Sequence, residues 1–596
     1  MTPPALRLAA LATSLLAATV ADAATIVRGP YLQQPTPAGM TLRWRTDVPT
    51  DSRVRYGAAP GSLGLTVDDA AVTTEHVVTV SALAPDTVYF YAIGSTSADL
   101  EGDDADHFFR TTPTPGAVRP LRIWVTGDGG YANADGMAVR DAYAAYNGAA
   151  PTDLWLLLGD NAYPTGNDAN YQAALFDLHH DMLRSVPTLS TFGNHEAMAG
   201  NSALQTGPYF TMFTFPTAGE AGGVPSGSEA YFSYDYGNVH FVVLDSEHNS
   251  KASTSPMMLW LEADLQATTA DWIIALWHRP PYSKGLLHDS DLEFEEITMR
   301  TNVVPMLEDY GVDLVLCGHS HSYERSYLLD GHYGLSDTFE LPVHARDAGD
   351  GDPSGNGPYR KPSLGQSPRN GAVYVVAGSS SDVRTTTLNH PALPVGLLEL
   401  GSLVLDVDGQ TLTGTFVNAA TQAADRFRIV KGPSCPSAPR GGCASAPKGR
   451  IALRNDPVDT KDKAQWKWQN GTLDSTQIGM PSGQSDVAVC LYDQSGSLFG
   501  DALGHGAPAW KAKGGGVQYV EKSGAHAGIT SVKGTSGTGK GQIQVKGAGA
   551  SLALPAGAPA FPLTAQLINL QSGACWESVF PTAKVNDGVK LSAKLP

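Results

Sequence analysis

Two kinds of hydrophobic pattern divide the chain. Between residues 24 and 115 apolar and polar positions alternate, as in Thr41-Leu42-Arg43-Trp44-Arg45-Thr46 and Thr87-Val88-Tyr89-Phe90-Tyr91-Ala92-Ile93, with Pro, Gly and Asp turns between them. A period of two marks strands with one buried face, and a stretch of this length suits one β-sandwich. From Leu121 the pattern changes to short apolar runs, each ending in a polar or glycine-rich turn: Leu121 to Thr126, Leu154 to Leu158, Val239 to Leu244, Trp272 to Trp277, Leu314 to Cys317 and Val373 to Ala377. Such runs predict strands covered on both faces by helices, and helical segments are expected at Ala138 to Tyr146, Asn170 to Leu183 and Met257 to Gln266. Residues 116–432 thus read as an α/β unit. Within it, residues 330–370 are rich in Gly, Pro and Asp without periodicity, which predicts a long loop. Residues 433–450 read as a linker, and 451–596 as a further β-rich unit with short alternating stretches and Gly-rich turns.

Composition sharpens this picture in three places. At 596 residues the chain suits roughly three domains, and 42 % apolar against 17 % charged residues excludes a disordered chain. The net charge of −19 argues against nucleic acid as the main partner, without excluding a phosphate substrate. The charge is uneven: from residue 433 onward there are 16 Lys/Arg and 10 Asp/Glu, against 24 and 49 before it, as expected of a separate C-terminal module. No internal apolar run reaches the ~18–20 residues of a membrane span. At the N-terminus, Arg7, the apolar run Leu8 to Ala21 and the small residues of Ala21-Asp22-Ala23 form a signal-peptide pattern, predicting cleavage after Ala23 and secretion to the periplasm or medium. The five cysteines fit export as two disulfides drawn from Cys435, Cys443, Cys490 and Cys575, with Cys317 a free, buried thiol.

The candidate chemistry sits in five polar clusters: Gly127-Asp128-Gly129-Gly130, Gly159-Asp160-Asn161-Ala162-Tyr163, Gly193-Asn194-His195-Glu196, Trp277-His278 and Gly318-His319-Ser320-His321. Ligands of open α/β sheets gather at the carboxyl ends of strands, where such residues converge. An Asp after a Gly is by itself usually a turn or cap residue, and a lone His a structural one. Taken together, carboxylates, an amide oxygen, a phenol and imidazoles form a donor set for a pair of first-row metal ions.

In this order and setting the clusters resemble those of the calcineurin-like metallophosphoesterase superfamily. Gly130, where most members carry a His, and Tyr163, three residues after Asp160, resemble the purple acid phosphatase branch. The likeness extends to Arg28-Gly29-Pro30-Tyr31-Leu32-Gln33, Tyr234-Asp235-Tyr236-Gly237-Asn238-Val239 and Ser322-Tyr323-Glu324-Arg325, covering about residues 25 to 430. It implies a fibronectin-like N-terminal sandwich and a βαβ-sandwich metallophosphoesterase domain. It further implies that Asp128, Asp160, Tyr163 and His321 hold one metal and that Asp160, Asn194, His278 and His319 hold the other, with Asp160 bridging. The anionic first set suits Fe(III), and the second a divalent Zn, Mn or Fe. His195 matches a position that contacts phosphate, and His288 one that protonates the leaving oxygen.

Glu196 and Glu324 are expected to orient ligands by hydrogen bonds. Asp245 and Glu247 read as turn residues or supports, Arg279 as a phosphate contact or a surface residue, and Cys317 as packing. The resulting reading is a secreted binuclear phosphatase that hydrolyses small-molecule phosphate monoesters by attack of a metal-bound hydroxide at acidic pH. One alternative is phosphodiester or nucleotide anhydride hydrolysis at the same site. Another is a surface-binding protein with an incidental phosphatase core, in which residues 451–596 contact the cell surface or polysaccharide. Trp466, Trp468, Trp510 and Trp576 would then form a sugar-stacking surface or, alternatively, core.

Overall fold

The structure is a computed structural model that describes residues 24–595 except 356–357, 362–364, 433–434, 437, 479–486, 504–509, 513, 521–527, 551, 553, 555–556 and 571. The segment read as an export signal, residues 1–23, lies outside the described residues. Among those residues, no helix is long and apolar enough to cross a membrane.

The alternating N-terminal segment forms six hydrogen-bonded strands centred on the long strand Gly39–Gly57. The first half of that strand pairs with Ile26–Thr36 and the second with Val88–Gly94, while Leu65–Val80 accompanies both halves across irregularities between Arg45 and Ser52. Trp44, Leu42, Val54, Val78, Tyr91 and Phe109 meet in one core, so the bent ribbon closes on itself.

All six apolar runs are strands, and they lie in two seven-stranded sheets. One has the order Phe232–Tyr236, Val239–Val243, Trp272–Leu276, Leu314–Cys317, Val373–Ala377, Tyr323–Arg325, Val395–Leu397; the other runs Tyr359–Lys361, Ala423–Lys431, Thr411–Asn418, Gly401–Asp408, Leu121–Thr126, Leu154–Leu157, Thr188–Ser190. The expectation of helices on both faces is corrected here. Alternate residues Val239, Phe241, Ile274, Leu276, Leu314, Leu316, Val373 and Val375 join a core shared with Ile123, Val125, Leu156 and Leu405 of the other sheet. Their neighbours Val242, Ile273, Ala275, Val315 and Tyr374 pack instead on Met257, Met258, Leu261 and Leu265 of helix Pro256–Ala267. Each strand is thus covered by a sheet on one side and helices on the other, and both faces require apolar residues.

Two further differences have local causes. The helix expected at Asn170 to Leu183 is broken into Asp168–Tyr171, a π-helical turn Gln172–Asp177 and His180–Leu183. The segment 330–370 is not wholly loop: Tyr359–Lys361 adds an edge strand beside Ala423–Lys431. Lys361 Nζ thereby reaches Asp313 (2.7 Å), which also pairs with Lys431 (2.8 Å), all three side chains being fully buried. No periodicity announces a three-residue strand held by a ladder and ion pairs to residues distant in sequence.

Beyond residue 443 the described residues are mainly strands, in a five-stranded and an eight-stranded sheet, with a common core that includes Trp466, Trp468, Trp510 and Trp576. All four rings are at most 4 % exposed and form no sugar-stacking surface. Disulfides Cys435–Cys490 and Cys443–Cys575 fasten the preceding segment to these sheets, and Cys317 is a free buried thiol.

His240 lies buried between Asp235 (2.6 Å) and Asp264 (2.8 Å). Burial opposes its charge, but the hydrogen bonds to the two carboxylates outweigh burial and push its pKa up to about 9. The folded state therefore holds this proton more tightly than the unfolded chain, whose His titrates near ~6.5. The stabilisation, about 3 kcal/mol at ~1.36 kcal/mol per unit, is complete below pH ~6.5 and lost as pH rises through about 9. Thermal unfolding of wild type should show this decline, and His240→Gln should abolish it.

Candidate metal centre

Three predicted ligands share one local device. Asp128, Asp160 and His319 each follow a glycine just beyond a strand of one of the two sheets, and each adopts a left-handed backbone, with φ of 56°, 53° and 69°. Non-glycine residues rarely occupy this region without compensation. The turns they make leave no room nearby: a Cβ on Gly159 would lie 2.6 Å from His278 Nδ1, and one on Gly130 2.5 Å from the Ala162 nitrogen. A histidine at 130 therefore has no place, and the phenol of Tyr163, stacked on Tyr131 (ring centroids 4.2 Å apart), fills that side of the site.

The site lies where the two sheets meet. Asp128, Asp160 and Asn194 follow strands of one sheet, and His278, His319 and His321 follow strands of the other. Tyr163 Oη lies 3.0 Å from Asp128 Oδ1, 3.1 Å from Asp160 Oδ2 and 3.0 Å from His321 Nε2. One hydroxyl hydrogen cannot serve three acceptors. His321 Nδ1 donates to Asp382 (2.9 Å), so its Nε2 presents a lone pair to this group. His278 Nδ1 donates to the Leu158 carbonyl (2.8 Å), and its Nε2 lone pair faces Asn194 Oδ1 (3.0 Å) and Asp160 Oδ1 (3.5 Å). His319 Nε2 lies 3.1 Å from Glu293 Oε2 and 3.1 Å from Arg279 Nη1, and His319 forms with His288 and Glu293 a group of close-set ligand atoms beside that of Asp128, Asp160 and His278.

Two knots of lone pairs at about 3 Å spacing, sharing Asp160, are the edges expected for ligands ~2.1 Å from an ion. Electrostatics agrees with that fit. Burial first, and the Asp160 charge second, raise the Asp128 carboxyl. Burial, then Asp128 and Asp160, raise the Tyr163 phenol. Burial holds His319 and His321 neutral, His321 down at about 4, in the form that donates a lone pair. The donors thus fit a pair of cations.

Every predicted site residue is brought to this place. His195, at the rim, donates its backbone N–H to Asp160 Oδ1 (2.8 Å) and Nδ1–H to the Pro164 carbonyl (2.6 Å). His288 lies across the site with its ring 3.9 Å from that of His319, Nδ1 donating to Glu293 Oε1 (2.9 Å). Glu196 accepts from the backbone of Asp160 (2.9 Å), Asn161 (2.8 Å) and Gly193 (3.0 Å) and from the Tyr171 hydroxyl (2.9 Å). Glu324 accepts from Ser283 (2.6 Å) and so fixes the start of the His288 hairpin. Asp245 organises its own turn through Ser202 and Asn249. Arg279 is mostly buried rather than a surface residue, paired to Glu247 (2.8 Å) and Glu293 with Nη1 3.1 Å from His319 Nε2.

Sequence reasoning missed Glu293, which ties together His288, His319 and Arg279, and Asp382, which orients His321. Asp382 did carry a signal, since Gly378-Ser379-Ser380-Ser381-Asp382 follows the run Val373–Ala377 just as the other clusters follow theirs.

Comparisons with known proteins place the chain among families of known description. Residues 121–323 match the calcineurin-like phosphoesterase family and residues 30–111 the purple acid phosphatase N-terminal domain. Acid phosphatase type 7 of Homo sapiens is 30 % identical over 336 residues, covering 51 % of this chain and 72 % of that protein. Purple acid phosphatase 15 of Arabidopsis thaliana is 30 % identical over 281 residues, covering 42 % of this chain and 49 % of that protein, so the match spans about half its length. The solved structure of purple acid phosphatase PPD1 from yellow lupin (Lupinus luteus) seeds shares the fold, with TM-score 0.53 and 18 % identity over 69 % of this chain and 77 % of that one.

Burial, and next the Asp160 charge, push the Glu196 pKa up to about 7. Glu196→Gln would turn an NH₂ toward backbone N–H groups that now find oxygen. Metal affinity should fall about 10- to 100-fold, read by metal retention during dialysis against a graded chelator, with far-UV circular dichroism unchanged.

Proposed function

Because the chain belongs to the purple acid phosphatase branch of the calcineurin-like phosphoesterases, we propose that it is an exported phosphatase hydrolysing small-molecule phosphate monoesters at a two-metal site. The observation that carries this reading is the Tyr163 hydroxyl facing three lone pairs around the shared Asp160. Asp128, Asp160, Tyr163 and His321 would hold Fe(III), because a phenolate and two carboxylates suit a hard trivalent ion. Asp160, Asn194, His278 and His319 would hold divalent Zn, Mn or Fe. The metal pair, when bound, clamps the phosphoryl group and makes hydroxide available from water.

The protein's own residues do the rest. His195, anchored through Nδ1 and its backbone, keeps Nε2 for a phosphate oxygen. His288, anchored through Nδ1 on Glu293, keeps Nε2 to hold the proton that the leaving oxygen takes. The ester P–O bond breaks, the alcohol departs with that proton, and the water that adds to phosphorus gives up the proton that restores His288. Burial opposes ionisation of Glu293, but its hydrogen bonds to His288 and His319 outweigh burial and keep it a carboxylate, which holds both rings in place. The two disulfides support export to an oxidising compartment.

Three outcomes are expected. An aryl phosphate monoester should be hydrolysed faster than the matching diester, with an optimum below neutral pH and no activity in Asn194→Ala; preference for the diester would replace the monoester reading. His288→Ala should cost about 10²- to 10⁴-fold on alkyl phosphates and far less on activated aryl esters, as kcat/KM reports. The isolated protein should absorb visible light through a phenolate-to-iron band, and Tyr163→Phe should remove it at equal iron content.

A further inference from the structure

The hairpin that carries His288 has an unusual surface. Lys284–Gly285 pairs with His288–Asp289, and around this short ladder Leu286, Leu287, Leu292 and Phe294 are exposed at 44 %, 76 %, 79 % and 74 %. Leu287 stands at the tip in a left-handed conformation (φ 65°), a backbone cost that leaves an apolar side chain in water. Four exposed large apolar side chains within nine residues are not explained by packing, since the core of this domain lies on the sheets behind them.

The polar groups of the same segment point to one kind of occupant. Residues 284–296 contain five acidic residues and one lysine. Lys284 Nζ is held by Asp289 (2.7 Å) and Asp291 (2.8 Å), and Arg279 by Glu247 and Glu293. The neighbouring cations are thus committed to carboxylates, so an alcohol bearing further phosphates meets net negative charge here, while an uncharged apolar alcohol meets leucine and phenylalanine. Specificity arises from both the repulsion and the attraction.

We propose that the 284–294 hairpin is the leaving-group surface of the site and selects phosphate monoesters of apolar alcohols. This rests on the phosphatase reading and on His288 as the proton donor to the leaving oxygen, which places the body of the alcohol beside His288 and so near the exposed apolar residues that flank it in the chain. Discrimination by apolar contact grows with each methylene covered.

The test is a series of n-alkyl phosphates from ethyl to octyl, kept below their micellar concentrations, with hexane-1,6-diol bisphosphate as the polyanionic comparison. For the full-length wild type, kcat/KM should rise about two- to fourfold per methylene over the middle of the series, and the hexyl monoester should exceed the bisphosphate. In Leu287→Ser/Leu292→Ser/Phe294→Ser, which alters only exposed side chains, the series should collapse toward the value of its shortest member. A flat wild-type series with clear phosphatase activity, or preference for the bisphosphate, overturns this inference and leaves the phosphatase reading standing. A triple variant that loses binding to phosphatidylcholine vesicles while the soluble series keeps its slope overturns it in favour of a lipid-surface contact. Absence of hydrolysis of every ester overturns both.

Discussion

The molecule is arranged around a group of acidic side chains that repel one another. Asp128 and Asp160 are both buried and both within about 3 Å of the Tyr163 hydroxyl. In a site screened from water, two carboxylates with oxygens within 4.8 Å of one another repel at a cost, and one proton cannot satisfy the acceptors present. His319 and His321, held neutral by burial, do not supply the missing charge. The Leu158 carbonyl and Asp382 fix the proton on the outer nitrogen of His278 and His321 respectively, so that each ring turns a lone pair inward. An arrangement that sets one hydroxyl hydrogen among several lone pairs is one that a multivalent cation stabilises.

Holding such groups together requires a scaffold that does not relax, and the two-sheet core provides it. Ligands from one sheet face ligands from the other, so an ion between them would fasten the sheets across their seam. The left-handed residues at Asp128, Asp160 and His319 each cost about 1–3 kcal/mol, and each has a specific compensation. Glu196 accepts the Asp160 N–H, Asp128 Oδ2 accepts the His319 N–H (2.6 Å), and the Ser381 hydroxyl donates to the Asp128 carbonyl. The supports lie one step behind the ligands and come from segments far away in sequence, so the turns are held by tertiary contacts more than by their own preferences.

This explains what could be read from the sequence. The strands were legible because burial on both faces leaves uninterrupted apolar runs, and the candidate ligands Asp128, Asp160 and His319 because each follows such a run at a glycine. The same runs could not say that one covering layer is a second sheet, since apolar residues serve either neighbour. Glu293 was illegible for a different reason. It lies in the acidic stretch Asp289 to Glu296, where Glu295 and Glu296 look the same in sequence, and only the three-dimensional return of His319 and Arg279 to its carboxylate distinguishes it. Tyr359–Lys361 and the broken helix from Asp168 to Leu183 likewise depend on distant partners.

Those distant partners give the N-terminal strands a place in the argument. Thr188–Ser190, which leads to Asn194, is an edge strand of its sheet, and an edge has unpaired groups and little to hold it. Strand Ile26–Thr36 packs beside it: Gln33 Nε2 donates to Thr188 Oγ1 (2.6 Å), and the Tyr31 hydroxyl donates to the Met212 carbonyl (2.8 Å). Arg28 and Arg45 both reach Asp168 at the start of the broken helix, and Arg28 also lies over the Phe176 ring, 4.5 Å from its centroid. Hydrogen bonding to Arg45 first, and to Arg28 after it, holds the Asp168 pKa down at about 2, so the clamp stays charged in acid. The N-terminal unit therefore packs against the edge strand that leads to Asn194, through residues that lie outside the candidate metal centre.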